Sequence, residues 1–129
     1  MERVYALLFY EKELYVVKYA DGFELVGGRV EKDETLEEAM IRELFEETDL
    51  KPKNVVLIQR IGGEYVYSSE RAGGQEKHFF FKIVANEKPG DGDARIVKIN
   101  AEELLESIKY GKRKLFLKEL FNSVLNGEH

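Results

Sequence analysis

The sequence predicts an α/β domain with a mixed β-sheet packed between helices. Three observations lead there: two runs rich in Val, Tyr, Leu and Phe at 3–9 and 13–19, an amphipathic segment at 36–48, and further β-type runs followed by helical apolar spacing towards the C-terminus. Strands, helix, strands and helices in this order describe a sheet covered on both faces. A chain of 129 residues fits one domain over 1–129, with enough core to fold without a metal or disulfide staple.

Glu11-Lys12 joins the first two runs as a hairpin turn, and Asp21-Gly22 ends the second. The segment 23–30 contains Gly27-Gly28 and reads as a loop or short strand edge where backbone approaches closely. Thr35 followed by Glu38 has capping-box spacing, so a helix is predicted over 36–48, stopped by Lys51-Pro52-Lys53. Strands are expected at 55–61, 64–67 and 77–85, with a loop at 68–75 around Gly73-Gly74. Successive rings of Phe79-Phe80-Phe81 must point to opposite faces of their strand. The turn Pro89-Gly90-Asp91-Gly92-Asp93 starts like a calcium loop, but Arg95 occupies the third ligand position and the closing Glu is missing, which favours a plain turn. A strand at 95–99, a helix at 101–109 capped by Asn100, and helical spacing at 115–125 complete the pattern.

Composition removes several function classes. The absence of Cys excludes disulfides, thiolate zinc sites and cysteine nucleophiles, and fits a reducing cytoplasm. Met1-Glu2-Arg3-Val4-Tyr5 lacks the start of a signal peptide, and no apolar run nears the ~20 residues that cross a bilayer, so neither export nor a membrane partner is expected. A net charge of -5 argues against a large nucleic-acid footprint but allows a small anionic ligand bridged by a cation.

At about 100° per residue, Leu36, Met40, Ile41 and Leu44 form an apolar arc of the predicted helix, with Phe45 at its edge. Glu47 falls between Leu36 and Met40, and Glu43 and Glu46 lie beside them at neighbouring spacings. Like charges ~5–6 Å apart repel by roughly 3 kcal/mol per pair at an effective dielectric of 20, and by less when exposed. Arg42 can pair with Glu46, but one guanidinium does not neutralise three acids, whereas a hard divalent cation can. Helical spacing alone still favours a solvated acidic face; the pattern around the helix decides.

From Gly28 the sequence reads GRVEKDETLEEAMIRELFEETDL, which resembles the Nudix box of the Nudix hydrolase (MutT-like) family. Gly28, Glu34, Arg42, Glu43, Leu44, Glu46, Glu47 and Leu50 fall in register over 28–50. Asp49 replaces the last Gly of the signature, at about 1 kcal/mol for a left-handed conformation, and Val26 stands where many members have Pro.

The resemblance implies a Nudix-type α/β/α sandwich and a Mg²⁺- or Mn²⁺-dependent pyrophosphohydrolase. Its substrate would be a nucleoside diphosphate linked to another moiety, with dinucleoside polyphosphates and nucleoside triphosphates as alternatives. Arg42, Glu43, Glu46 and Glu47 are then the catalytic set. The three glutamates would ligate the metal with the Gly28 carbonyl, Arg42 would orient them, and Glu34 would stand behind. Members draw the general base from the box or from a later loop, so Glu43 comes first, followed by Glu70 and Glu76. The number of metal ions stays open.

For the substrate, Tyr15, Phe23, Tyr65, Tyr67 and Phe80 can stack a base and Arg60, Arg71, Lys77 and Lys82 can reach phosphates, although most read as ordinary strand residues. Phe23, Tyr67, Arg60 and Lys77 are the binding candidates. Tyr67 is similar to a marker of diadenosine polyphosphate hydrolases. His78 reads as a polar strand residue, and His129 carries little information. The competing class is a non-catalytic Nudix-fold nucleotide-binding or regulatory module, whose members usually lose box glutamates that this chain keeps. Oligomeric state is not legible, and a homodimer is compatible with the sequence.

Overall fold

The computed structural model describes residues 1–69, 74–109 and 111–126. β1 (Glu2–Tyr10) and β2 (Glu13–Tyr19) form the expected hairpin. Glu11 and Lys12 close it, both with positive φ (51° and 66°), the turn geometry that matches the twist of the flanking strands. The segment around Gly27-Gly28 is strand rather than loop. β3 (Gly22–Glu24) pairs with β2, whereas β4 (Val26–Arg29) pairs with the N-terminal half of β1, placing Tyr5 opposite Gly27 and Val4 opposite Gly28. One edge of β1 is therefore shared by β2 and β4.

The other edge of β1 runs parallel to β6 (Gly74–Ala85), and β6 pairs antiparallel with β5 (Val55–Ser69). β7 (Ile96–Ile99) pairs with β2, which completes a seven-stranded mixed sheet. The expected gap between 61 and 64 is bridged: β5 continues through an irregularity between Ile61 and Tyr65, where Gly62 takes φ 63°. β5 and β6 also extend into the expected 68–75 loop; Glu70, Arg71 and Gly73 lie outside the described residues, as does His129.

α1 (Leu36–Thr48) occupies the predicted residues. Thr35 Oγ1 accepts from Glu38 N–H at 3.1 Å, and Glu38 Oε1 accepts from Thr35 N–H at 3.0 Å, so the capping box is closed. Asp49 ends the helix in the left-handed region at φ 60° and ψ 15°. α2 (Ala101–Ser107) stops short of 109 because Ile108, which is buried, turns to an extended ψ of 120°. α3 (Gly111–Leu125) begins before its first apolar residue, Leu115. No helix among the described residues is long and apolar enough to cross a membrane.

Strand alternation divides the core. Val4, Ala6, Leu8, Phe79 and Phe81 pack with α1, while Tyr5, Leu7 and Phe80 pack with α2 and α3, giving an α/β/α sandwich. Tyr15 and Phe80, considered as base-stacking rings, belong to these two cores. The apolar arc of α1 is also rotated from its expected position. Ala39, Met40, Leu44 and Thr48 are buried, whereas Ile41 and Phe45 are 37% and 44% exposed. The cause is the contact with β4, which turns Glu43 and Glu47 inwards.

Urea unfolding checks the two ends of α1. Thr35→Ala is expected to lower stability by about 1 kcal/mol through loss of the cap. Asp49→Gly is expected to raise it by up to about 1 kcal/mol, because the left-handed strain removed exceeds the added chain entropy.

Candidate active site

Where α1 leans on β4, carboxylates meet bare backbone. Gly27 N–H donates to Glu47 Oε1 at 2.7 Å. A Cβ at Gly28 would stand 2.5 Å from the Glu43 carboxylate, and one at Gly27 would strike the Val4 carbonyl of β1. The two glycines are thus required by distance.

Arg42 gathers the remaining acids with a planar fork. Its Nε and Nη2 donate to the two oxygens of Glu34 at 2.7 and 3.0 Å, and Nη1 donates to Glu43 Oε1 at 3.0 Å and Glu46 Oε2 at 3.3 Å. Nη2 also donates to the Arg29 carbonyl at 2.8 Å, tying the helix to the end of β4. Glu34 in turn accepts from Glu31 N–H at 2.8 Å. The bond from Arg42 holds the Glu34 carboxyl below its usual range. Burial raises Glu43 against the opposing pull of Arg42. Burial pushes Glu47 up to about 7; Gly27 N–H opposes this, and the charges of Glu43, Glu46 and Asp93 add to it.

The carboxyl end of α1 is clamped by the turn read from sequence as a plain one. Gly90, Gly92 and Asp93 donate backbone N–H groups to the carbonyls of Thr48, Glu47 and Glu46 at 3.0, 3.0 and 2.7 Å. A Cβ at Gly92 would collide with the Glu46 carbonyl. This role was missed; its signal was the alternation of Gly and Asp at 90–93. The clamp satisfies orphan carbonyls of the helix and fixes the backbone beneath two of the acids.

Among the described residues, no three acidic, His or Cys side chains stand together as a finished metal cage. Arg42 and Gly27 N–H occupy the carboxylates instead. The donor set nevertheless fits a hard divalent cation. All its side-chain donors are carboxylate oxygens, one guanidinium serves Glu31, Glu34, Glu43 and Glu46, and the half-buried Glu47 resists ionising beside its acidic neighbours.

The other candidates are distributed elsewhere. Glu76 lies on the α3 side of the sheet, accepting from Arg3 Nε and paired with His78 Nε2, each at 3.1 Å. Tyr67 lines a cavity beside them. Phe23 lies under the Lys18 ammonium at 4.8 Å, and Arg60 stacks on Phe79 at 4.7 Å. Lys77 sits in the sheet between Glu2 and Val66. Arg113 was also missed. It is buried at 6% exposure, and its signal was a charge at a core position of α3, four residues before Leu117.

A carboxyl whose folded pKa lies above its unfolded value supports the fold fully only below the unfolded value, and that support is lost as pH rises through the folded one. For Glu47 the window runs from 4.5 to about 7. In metal-free protein, Glu47→Gln is therefore expected to melt above the wild type at pH 8 and to lose most of that advantage at pH 5, as read by thermal scans in chelator.

The NUDIX domain model matches residues 2–118. The fold is similar to the E. coli dihydroneopterin triphosphate pyrophosphohydrolase, at 13% identity and TM-score 0.75 over 94% of this chain and 95% of that one. It is similar to the C. elegans Ap4A hydrolase in a binary complex, at 16% identity and TM-score 0.68 over 97% and 98% of the two chains. It is also similar to the NUDIX domain of Shewanella oneidensis NrtR complexed with ADP ribose, at 18% identity and TM-score 0.69 over 97% and 88%. No curated protein matches. The solved structures establish the sandwich, and the family model, covering most of the sequence, establishes descent. The chain belongs to the NUDIX domain family and is a hydrolase acting on pyrophosphate bonds.

Proposed function

We propose that this chain is a single-domain, Mg²⁺- or Mn²⁺-dependent pyrophosphohydrolase of the cytoplasm that cleaves a phosphoanhydride bond in a small nucleotide. The observation that carries this reading is the acidic face of α1, fixed against Gly27-Gly28 by one guanidinium and one peptide N–H. Glu43, Glu46, Glu47 and the Gly28 carbonyl would hold the cation. When bound, it supplies neutralisation of diphosphate charge and a lowered pKa for a bound water.

The chain's own residues do the rest. Arg42 keeps Glu43 and Glu46 aligned, and Glu34 holds Arg42 in place with two bonds. Glu43 is the general base. Arg42 bonds its Oε1, which leaves Oε2 to take the proton of the attacking water. Glu76 is disfavoured in that role because it lies on the α3 side of the sheet, beside Arg113 and His78, away from the acids of α1. The box keeps all its acids, which supports hydrolysis over a non-catalytic module. The names of similar proteins, which mention dihydroneopterin triphosphate, Ap4A and ADP ribose, support a small nucleotide-like substrate.

Purified protein with Mg²⁺ is expected to hydrolyse nucleoside triphosphates or dinucleoside polyphosphates, and chelator should stop it. Glu47→Gln should lower kcat by about 10²–10³ with unchanged circular dichroism. Arg42→Lys should lower it by about 10–100-fold, since an ammonium cannot reproduce the fork. A fully active Glu47→Gln enzyme would overturn the reading.

A further inference from the structure

The flank of α1 that faces away from β4 carries an apolar surface with no part in the chemistry above. Ile41 and Phe45 stand one turn apart on it, and Val56 of β5 nearby is 66% exposed. Beside them a groove of about 130 Å³ separates α1 from the start of β5. Leu44 and Leu50, almost fully buried, form its floor, and Ile41, Pro52, Val56 and Ile58 form its walls. No polar side chain lines it among the described residues. β5 is the last strand in the sheet order, so no further strand covers the outer side of the groove. Clustered apolar surface with a charged border marks a docking surface.

That border selects the partner. Glu37 and Glu38 stand in the first turn of α1, at one end of the face, whereas Lys51 and Lys53 follow the last turn, at the other end. All four are exposed. Among the described residues, Glu37, Lys51 and Lys53 enter no ion pair within the chain. An anionic lipid surface would attract the lysines and repel the glutamates at the same time. A second copy related by a two-fold axis across α1 instead brings the acidic end of each copy onto the basic end of the other. The acids of the candidate active site stay clear of such a contact. At about 100° per residue, Glu43, Glu46 and Glu47 lie about 120° or more around the helix from Ile41.

We propose that this face docks a second copy of the chain. The two α1 helices run antiparallel about the two-fold axis, Phe45 of each copy lies over the groove of the other, and Glu37 of each faces Lys51 of the other. Glu37, Ile41 and Phe45 form a ridge of spacing four, the kind that interdigitates when helices pack. Three exposed apolar side chains per copy make a small interface, so the dissociation constant is expected at roughly 1–100 µM. The pairing depends neither on a metal nor on which nucleotide is cleaved.

Sedimentation velocity of the full chain from roughly 1 to 300 µM, a range around that constant, reads the pairing. The mass is expected to rise with concentration from 15.0 kDa towards twice that value. Phe45→Glu and Val56→Glu, both at exposed positions, should each stay monomeric throughout and melt near the wild type when dilute. Lys51→Glu should raise the dissociation constant about tenfold, and adding Glu37→Lys should restore it, a reversal that damage to the fold does not produce. A wild type that is monomeric throughout, a dimer that survives both Phe45→Glu and Val56→Glu, or a double charge variant no tighter than Lys51→Glu alone overturns the proposal. Monomeric wild type that co-sediments with phosphatidylglycerol vesicles, where Phe45→Glu does not, would give the face to a membrane and overturn it as well.

Discussion

Carboxylates on α1 can lie against the sheet only because β4 brings glycine backbone to meet them. Side chains at 27 and 28 would collide with β1 and with Glu43, and Glu47 would lose the peptide N–H that receives it. The rotation of the helix follows from this contact, and so does the exposure of Ile41 and Phe45. The acids then repel one another at the border of the core. Arg42 relieves part of that repulsion by bonding Glu34, Glu43 and Glu46 together. Thr35 at one end and the turn at 90–93 at the other hold the helix against the remainder.

The central sheet separates two kinds of polar chemistry. On the α1 side, acids outnumber their cation and Glu47 is pushed up to about 7. On the α3 side, two arginines and two glutamates balance around a histidine that burial keeps neutral. β1 and β4 form the partition between them, with Tyr5 on one side touching the glycine that serves Glu47 on the other.

Much of this was legible in the residues, for local reasons. The Thr35 and Glu38 pair marks its own helix start, and Asp49 takes the left-handed conformation that its place in the box requires. Alternation along Phe79-Phe80-Phe81 follows from strand geometry and was realised with all three rings buried. What escaped depended on distant partners. The turn at 90–93 acts on carbonyls more than 40 residues earlier, and Arg113 finds Glu24 from 89 residues away. The helical wheel of α1 placed Glu43, Glu46 and Glu47 beside an apolar arc of Leu36, Met40, Ile41 and Leu44, of which Ile41 is exposed, because no local pattern reports where a neighbouring strand has glycine.

Parallel pairing of β1 with β6 joins residues 75 positions apart, from Glu2 with Lys77 to Tyr10 with Ala85. Closing so long a loop costs chain entropy before any contact repays it, which slows assembly of non-local sheets. The β1–β2 hairpin and α1 need no such closure, so they can form first. During synthesis, β1 therefore keeps an unsatisfied edge until residue 85 has emerged, and that edge is the surface where premature association between nascent chains would begin.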